Sequence, residues 1–315
     1  MTSDPASGDA VKTMTLLARD LAMLDAAGSY DLKRPKEKKR SVRDLARFFF
    51  WVADILEVDL FIEAGAKEAD ASRRARKRID PQRIVAFEAN PYTFSHYDSK
   101  FDNAAAGVEY VHCALADEPG EVTFNVNRTE DGEPIIDGRG SLLKHQDKPA
   151  GFIEVTVEAT TLDTWFADHE YTSSAMWVDV EGAVEGVFNG GKQTLERAAV
   201  VMVEVEDRAL WHGKQWLRPD VVSHLYDRGL VPVARDFQSR YQYNIVFVRA
   251  TALDEVDRLR WALASFRSEQ QSGRVARPAA PKKPSSRAKP RLAWLPEPAR
   301  QALRKTRNAV RARQG

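Results

Sequence analysis

The sequence has little cysteine and no long apolar run. Only Cys113 is a cysteine, so the chain can form neither an internal disulfide nor a cysteine-based metal cluster, and we expect Cys113 to pack as a small hydrophobic residue. No segment approaches the roughly 20 apolar residues of a membrane-spanning helix, and residues 1–10 are polar and acidic, unlike an export signal. With 43% hydrophobic residues, the 315-residue chain predicts a soluble globular protein, cytoplasmic by default.

Glycine is scarce in the stretch that is most typical of a nucleotide-binding site. Residues 59–91 contain one glycine, Gly65, and no glycine-rich GxGxxG motif. Two short apolar runs end on acids, at Glu63 and at Glu88, and the segment between them has the composition of a helix over residues 68–78. The pattern of strand, small-residue turn, helix and strand predicts one βαβ nucleotide-binding unit.

This βαβ unit has the elements that a nucleotide ligand needs. The small residues around Gly65 let the backbone approach a ligand, and the N-terminus of the following helix offers free N–H groups. Glu88, 25 positions after Glu63, can accept hydrogen bonds from ribose hydroxyls, since a ribose-binding acid is expected about 20 residues after the turn. Taken alone, the pattern also fits an α/β unit with a purely structural role.

Charge of one sign is concentrated at the end of the chain. From Gly273 onward, thirteen lysines and arginines stand against the single acid Glu297, a net charge of +12 that leaves −11 for residues 1–272. Residues 270–291 lack apolar periodicity and predict a disordered tail, whereas residues 297–313 carry a narrow apolar stripe among basic residues. The alternatives are a solvated tail, a contact with an anionic membrane surface or polymer, and, least favoured, nucleic acid.

The remaining segments alternate between helices and strands. Amphipathic helices are predicted over residues 9–27 and 44–57, separated by a basic loop at 31–43 that contains Pro35. Further strands are predicted at residues 108–115, 121–126, 152–159, 176–180, 200–203, 231–235 and 243–248, helices at 92–101, 161–166, 221–230 and 253–266, and a long loop at 129–148. The strand at 243–248 is expected to be antiparallel, because residues 236–242 are too short for a helical crossover.

These elements predict an α/β fold with a Rossmann-like seven-stranded sheet. The expected organisation is an N-terminal helical cap over residues 1–57, a nucleotide-binding domain over 58–268 and a basic tail over 269–315.

Acidic residues follow two of the later strands. Asp179 and Glu181 come at the end of one apolar run, Glu204 and Glu206 at the end of the next, and His212 shortly after. Because the carboxyl ends of parallel strands form one ligand crevice, we expect Asp179 and Glu181 to face the same cleft as Glu63 and Glu88.

Each of these later residues also has a simpler interpretation. Asp179 could be a turn or helix-capping carboxylate, and His212 an ordinary surface histidine. Oxygen ligands from Asp179, Glu181 and Glu204 would suit Mg²⁺, but no spacing motif requires a metal, and none is predicted.

Five segments in this order resemble the FkbM family of S-adenosylmethionine-dependent methyltransferases. They are FIEAGA (61–66), VAFEANP (85–91), CALADEPGEVTF (113–124), TTLDTW (160–165) and WVDVEGAVEGVFNGG (177–191). The resemblance spans about 190 residues, from Asp59 to Val248, and the ordered set is far more specific than any single motif. It implies a methyltransferase sheet and S-adenosyl-L-methionine as cofactor.

The resemblance also implies roles for particular residues. Glu63, Gly65, Ala66 and Glu88 would bind the cofactor, with Ala114 and Leu115 near the adenine. Independently of the resemblance, we expect Asp179 to act as general base or acceptor clamp, assisted by Glu181, with His212 as the second candidate. The expected acceptor is a hydroxyl of a saccharide, on a natural product, lipid or polymer. Trp211, Trp216, Tyr241 and Tyr243 would suit exposed aromatics at the cleft edge, and they fit the core equally well.

Two residues of the turn depart from the family pattern. Lys67 stands where the family usually has asparagine, and Ala69 where it usually has glycine. These departures favour an alternative function, a methyltransferase-fold protein that no longer catalyses and serves as a binding or scaffolding subunit, with the basic tail contacting an anionic membrane or polymer.

Overall fold

A seven-stranded mixed sheet forms the centre of the computed structural model, which describes residues 5–147 and 151–272. The strands are β1 (Leu60–Ala64), β2 (Arg83–Glu88), β3 (Glu109–His112), β4 (Ala114–Leu115), β5 (Gly120–Asn127), β6 (Phe152–Thr160), β7 (Ser174–Val178), β8 (Ala198–Glu206), β9 (Leu230–Arg235) and β10 (Gln242–Arg249). The large sheet has the order β3-β2-β1-β7-β8-β10-β9. β10 is antiparallel to both β8 and β9, as predicted.

Helices cover both faces of this sheet. They are α1 (Pro5–Asp25), α2 (Pro35–Ile55), α3 (Asp70–Arg78), α4 (Pro91–Lys100), α5 (Leu162–Trp165), α6 (Val184–Asn189), α7 (Lys192–Glu196), α8 (Arg218–Tyr226), α9 (Ala250–Glu255) and α10 (Asp257–Ser272), with a 3₁₀ turn at Ala26–Ser29. Adjacent residues of β1 point to opposite faces, so Phe61 packs with the aromatic side of α2, and Ile62 with the core under α6 and α8. Parallel strands buried on both faces explain the continuous apolar runs of the sequence.

The predicted strand at residues 108–115 is wrong as a single element. β3 pairs with β2 as far as His112, and the N–H of Cys113 donates to Glu88 O at 3.1 Å. The chain then leaves the large sheet, and β4 pairs with β6 in a separate three-stranded sheet of order β4-β6-β5. Cys113 is buried at this break, as expected. The small sheet becomes one wall of the cleft described below.

Two predicted helix boundaries are also wrong. The basic stretch 31–43 is not a loop, because Pro35 occupies the first turn of α2, where its missing N–H is harmless and its fixed φ favours the helix. The predicted helix at 253–266 is two helices that meet at Val256, and α10 continues to Ser272, so the predicted boundary at residue 268 falls inside a helix. The predicted tail beyond Ser272 lies outside the described residues.

Within the described residues, no helix combines the length and the apolar character that crossing a bilayer requires.

Gly65 fixes the turn that follows β1. It has a φ of +77°, and a Cβ built on it would lie 1.8 Å from the carbonyl oxygen of Asp179 at the end of β7. The N–H of Asp179 donates in turn to Ala64 O at 2.9 Å. Only glycine allows the β1 and β7 turns to approach this closely.

We therefore expect Gly65→Ala to lower the free energy of unfolding by at least ~3 kcal/mol, through backbone strain and displacement of the β7 turn. Gly132→Ala is the matched control, because Gly132 also has a positive φ, +90°, but faces open space, and it should cost only about 1–2 kcal/mol. Chemical denaturation of both variants measures the difference. Equal losses would show that the contact with Asp179 is unimportant.

Candidate active site

A cleft opens at the carboxyl ends of β1, β2 and β7. Its lining combines the turn of β1, the end of β2, the start of the small sheet and the β7 turn: Gly65, Phe87, Glu88, Ala89, Asn90, Cys113, Ala114, Leu115, Phe124, Asp137, Gly138, Gly140, Leu142, Asp179, Val180 and Ala183. The structure thus brings together five of the residues selected from the sequence, which are Gly65, Glu88, Ala114, Leu115 and Asp179. Ligands of open α/β sheets bind at this position.

Glu88 is held by two backbone donors. Its Oε2 accepts from Lys67 N at 2.7 Å, and its Oε1 from Asn90 N at 2.7 Å. The side chain is buried, and this burial raises the pKa of Glu88 to about 7, with the nearby Asp179 adding to the shift. Each oxygen keeps a lone pair, so the carboxylate can still accept from ligand hydroxyls, as a ribose-binding acid must.

Asn90 is a cleft residue that sequence reasoning missed. Its Oδ1 accepts from Tyr92 N at 3.1 Å and Thr93 N at 3.3 Å and so caps α4. Its Nδ2 is buried and has no hydrogen-bond partner among the described residues. The Asn-Pro pair precedes the predicted helix at 92–101, but a capping side chain and a ligand donor give the same sequence signal, so the sequence does not reveal the second role.

Glu63 stabilises the turn after β1 by binding the first turn of α3. Its Oε2 accepts from Ser72 N at 2.7 Å, within the first turn of α3, and its side chain is 4% exposed. Burial raises the pKa of Glu63 to about 7, against the lowering effect of these hydrogen bonds. Glu63 thus joins β1 to α3, and its contact with a cofactor remains a prediction.

The departures Lys67 and Ala69 have structural explanations. Ala69 has a φ of +55°, a conformation that glycine adopts easily, and its methyl group is fully buried in the core under α2 and α3. The added Cβ therefore packs into the protein. Lys67 uses its N–H for Glu88 and its C=O for the hydroxyl of Tyr110, while its side chain runs beside Gly138. Ala66 is buried, and its N–H donates to Phe87 O at 2.8 Å.

Four carboxylates cluster beside the cleft. Ligand oxygens of Asp179, Glu181 and Glu204 lie within 4.8 Å of one another, and Glu206 follows two residues after Glu204, on the same face of β8. The amide of Gln242 donates to Glu204 at 2.8 Å and to Glu181 at 3.4 Å. Such close carboxylates must share protons or hold a cation.

Burial raises the pKa values of all four groups, and repulsion from neighbouring carboxylates adds to it, from within the cluster for Glu181, Glu204 and Glu206 and from Asp236 for Asp179. Burial is the larger cause in each case, and it brings the pKa of Asp179 to about 6, that of Glu181 to about 8 and that of Glu206 to about 7. The pKa of Glu204 lies well above its ordinary value for the same reasons. The hydrogen bond with Glu204 and the charge of Lys67 keep the pKa of Asp179 lower than burial alone would set it.

The structure places His212 at the surface and two of the four aromatics in the core. His212 is exposed, as in its simpler interpretation, and its N–H donates to Lys144 O at 2.7 Å. Trp211 and Tyr243 are 2% and 1% exposed, so for them the core alternative holds. Trp216 is partly buried against the core, and Tyr241 is partly exposed between Arg208 and Arg240.

The long loop predicted at 129–148 passes over the cleft in its described part. The backbone of Ser141 pairs with Asn125 of β5, and its hydroxyl donates to Glu181 O at 2.7 Å. The hydroxyl of Thr93 donates to Asp137 O at 3.2 Å. The loop is thus attached to both sides of the cleft and contributes part of its lining.

The sheet order, the single antiparallel strand and the acid at the end of β2 define the class of Rossmann-like methyltransferases. The model of the FkbM methyltransferase domain matches residues 59–258, which is more than half of the chain. The chain belongs to this family and is an S-adenosylmethionine-dependent methyltransferase.

Individual relatives are distant. The 2-O-methyltransferase NoeI of Sinorhizobium fredii (strain NBRC 101917 / NGR234) is 22% identical over 166 residues, which cover 50% of this chain and 68% of NoeI. Among solved structures, EvdMO1 has a TM-score of 0.40 and 14% identity, covering 69% of this chain and 42% of EvdMO1. The METTL16 methyltransferase domain has a TM-score of 0.37 and 11% identity, covering 63% and 64% of the two chains. The family assignment rests on the family model.

The raised pKa values predict a pH-dependent stability. The folded cluster retains protons that the unfolded chain releases above about pH 4.5, so stability should fall as the pH rises from about 5 to 8. Glu181→Gln should reduce this slope by about 1 kcal/mol per pH unit and should stabilise the protein most at pH 8. Denaturation of the cofactor-free protein across this range measures it, with Glu121→Gln, an exposed position on β5, as control. An unchanged slope in Glu181→Gln would contradict the proton-sharing cluster.

Proposed function

We propose that this protein transfers a methyl group from S-adenosyl-L-methionine to a hydroxyl of a saccharide, free or carried by a lipid or natural product. The observation that carries the proposal is the position of Asp179, which lines the cleft and also belongs to the carboxylate cluster. A proton acceptor therefore stands beside the predicted cofactor position. The likeness to a 2-O-methyltransferase supports a hydroxyl acceptor.

The cleft residues fit an adenosyl cofactor. Glu88 offers carboxylate oxygens for ribose hydroxyls, the buried amide of Asn90 offers an unpaired donor, and the Gly65 turn leaves room for close approach. Ala114 and Leu115 offer an apolar surface for the adenine ring. The cofactor, when bound, supplies an electrophilic methyl group on a sulfonium. The protein aligns the acceptor with that methyl group, which supplies most of the rate enhancement.

Asp179 is suited to remove the acceptor proton. With a pKa of about 6 it is mainly ionised at neutral pH, whereas the higher pKa of Glu181 makes that group the better proton holder. When its neighbours hold the protons, Asp179 remains as a carboxylate whose pKa is close to the working pH. A pKa near the working pH is the condition for effective general-base catalysis. Such a base contributes about 10²–10⁴-fold to the rate.

Tyr241 supports a saccharide acceptor. It is partly exposed and directly precedes Gln242, whose amide lies within the carboxylate cluster. A partly exposed aromatic ring at this end of β10, next in sequence to a residue of the cluster, offers apolar surface to a sugar ring. The guanidinium groups of Arg208 and Arg240 lie 4.3 and 5.0 Å from its ring centre and restrict its orientation.

The second candidate function is a binding or scaffolding subunit without catalysis. The observation that favours it is the Lys67 cation next to the cleft, which would oppose a sulfonium. Titration with S-adenosylmethionine and with S-adenosylhomocysteine, whose sulfur carries no charge, separates the two functions. Binding of both ligands supports the enzyme, whereas no binding of either at millimolar concentration supports the subunit.

Asp179→Asn tests the proposed base. It should lower kcat for methylation of an accepted saccharide by at least about 10²-fold, because the amide cannot take the proton. The affinity for S-adenosylhomocysteine should change less than about threefold, and thermal stability should stay equal or rise, since one buried charge is removed. Asp168→Asn, at an exposed position, is the control. Full activity of Asp179→Asn would exclude Asp179 as the base.

Asn90 is tested by variants that keep a capping oxygen but remove the amide N–H₂ group. Asn90→Asp and Asn90→Ser should both preserve the cap of α4 and both weaken S-adenosylhomocysteine binding by about tenfold, as expected for one lost buried hydrogen bond. Asn90→Ala should in addition lose about 1 kcal/mol of stability. Calorimetric titration and thermal denaturation measure the two effects. Wild-type affinity in Asn90→Ser would show that the Asn90 amide does not contact the ligand.

A further inference from the structure

Helix α1 has apolar residues on two opposite faces. Its inner face packs on the domain through Met23 and Leu16, and the carboxylate of Asp20 forms an ion pair with Arg218 at 3.1 Å. Lys12 forms a further ion pair with Asp227. These contacts attach the helix to the domain through its inner face, and its outer face points to solvent.

The outer face is a continuous apolar surface, which we call the α1 stripe. It consists of Val11, Met14, Leu17, Leu21 and Leu24, which are 65%, 65%, 50%, 58% and 45% exposed. The exposed residues between them are Ala10, Thr13, Ala18 and Ala22, so no charged residue is exposed between Asp9 and Asp25. The stripe holds five of the seven large apolar side chains that are exposed among the residues with described side chains. Exposed apolar surfaces of this kind mark interaction sites.

A basic segment, residues 31–43, begins where α1 ends. It contains seven lysines and arginines against Asp31 and Glu37, although residues 1–272 as a whole carry −11. Lys33, Lys36 and Lys39 are exposed. The guanidinium of Arg40 donates to Ser29 O at 2.9 Å, which joins the basic segment to the turn after α1.

Helix α10 ends at the same corner of the domain. The amide of Gln270, near the end of α10, donates to the hydroxyl of Tyr30 at 3.2 Å, and α10 packs against the 3₁₀ turn that follows α1. Residues 273–315, which follow α10 in the sequence, carry a net charge of +12. The C-terminal end of the α1 stripe, the basic segment and the end of α10 lie together.

We propose that the α1 stripe and the basic segment form a docking surface for an anionic lipid bilayer. The apolar side chains enter the boundary between headgroups and acyl chains, and the exposed lysines interact with anionic headgroups, the two contributions that hold peripheral helices on membranes. A soluble polyanion would leave the apolar stripe in water. A second copy of α1 would leave most of the basic residues without a partner, because the exposed acids beside the stripe are only Asp9 and Asp25, against seven lysines and arginines in the basic segment. The inference does not depend on the methyl acceptor.

Vesicle co-sedimentation of the full chain tests the proposal, with phosphatidylcholine vesicles that contain or lack phosphatidylglycerol. Wild-type protein should bind the anionic vesicles, and salt should weaken this binding. The double variant Leu17→Gln, Leu21→Gln keeps good helix formers at exposed positions and should lower the partition coefficient by about tenfold. The triple variant Lys33→Gln, Lys36→Gln, Lys39→Gln should lower it at least as much at low salt. Circular dichroism and thermal denaturation establish that each variant is folded.

A matched variant controls for the loss of positive charge. Lys77→Gln, Lys100→Gln, Lys192→Gln removes the same charge from exposed positions on other helices and should bind vesicles within about twofold of wild type. Three outcomes would overturn the proposal. The first is no binding of the wild-type protein to anionic vesicles. The second is vesicle binding that the leucine variant leaves unchanged, which would indicate a polyanion contact alone. The third is a stable dimer in light scattering that the leucine variant converts to a monomer.

Discussion

The burial of carboxylates at one edge of the sheet is the constraint on which the site depends. Glu63, Glu88 and the four-carboxylate cluster all lie where parallel strands end, and burial raises the pKa of each. A buried ionised carboxylate is tolerated only when hydrogen bonds, a proton or a cation compensate for its lost hydration. The local structure of the turns follows from how each group obtains that compensation.

Buried carboxylates are compensated here in two ways, which separate the residues proposed to bind the cofactor from those proposed to react. Glu63 and Glu88 accept from the backbone N–H groups of Ser72, Lys67 and Asn90, so the turns after β1 and β2 are fitted around fixed carboxylates. The cluster around Asp179 has the side-chain amides of Gln242 and Gln215 as donors, and its close carboxylates must in addition share protons or hold a cation. The first solution gives rigid acceptors that suit ligand recognition, and the second gives a group able to exchange a proton.

The sequence predicted the parts of the fold that follow from apolar periodicity and from acids at strand ends. The seven-stranded sheet, the antiparallel β10 and the shared position of Glu88 and Asp179 are of this kind. The break at Cys113 was missed, because residues 108–115 form one strand-like run without glycine or proline, and only long-range pairing with β6 separates β3 from β4. The burial of Trp211 and Tyr243 could not be decided from the sequence, since aromatic residues suit a core and a surface alike.

Lys67 shows how a departure from the family pattern can fit its surroundings. From the sequence it suggested a degenerate site, and in the structure its charge is one of the effects that lower the pKa of Asp179 against the larger effect of burial. Four neighbouring carboxylates create a strongly negative environment, in which a nearby cation favours ionisation of one of them. The backbone N–H of Lys67 also donates to Glu88. Lys67 therefore acts on Glu88 through its backbone and on Asp179 through its charge. Judged from the turn after β1 alone, Lys67 suggests loss of cofactor binding. Together with the acids at the ends of β7 and β8, its positive charge is consistent with partial neutralisation of the carboxylate cluster.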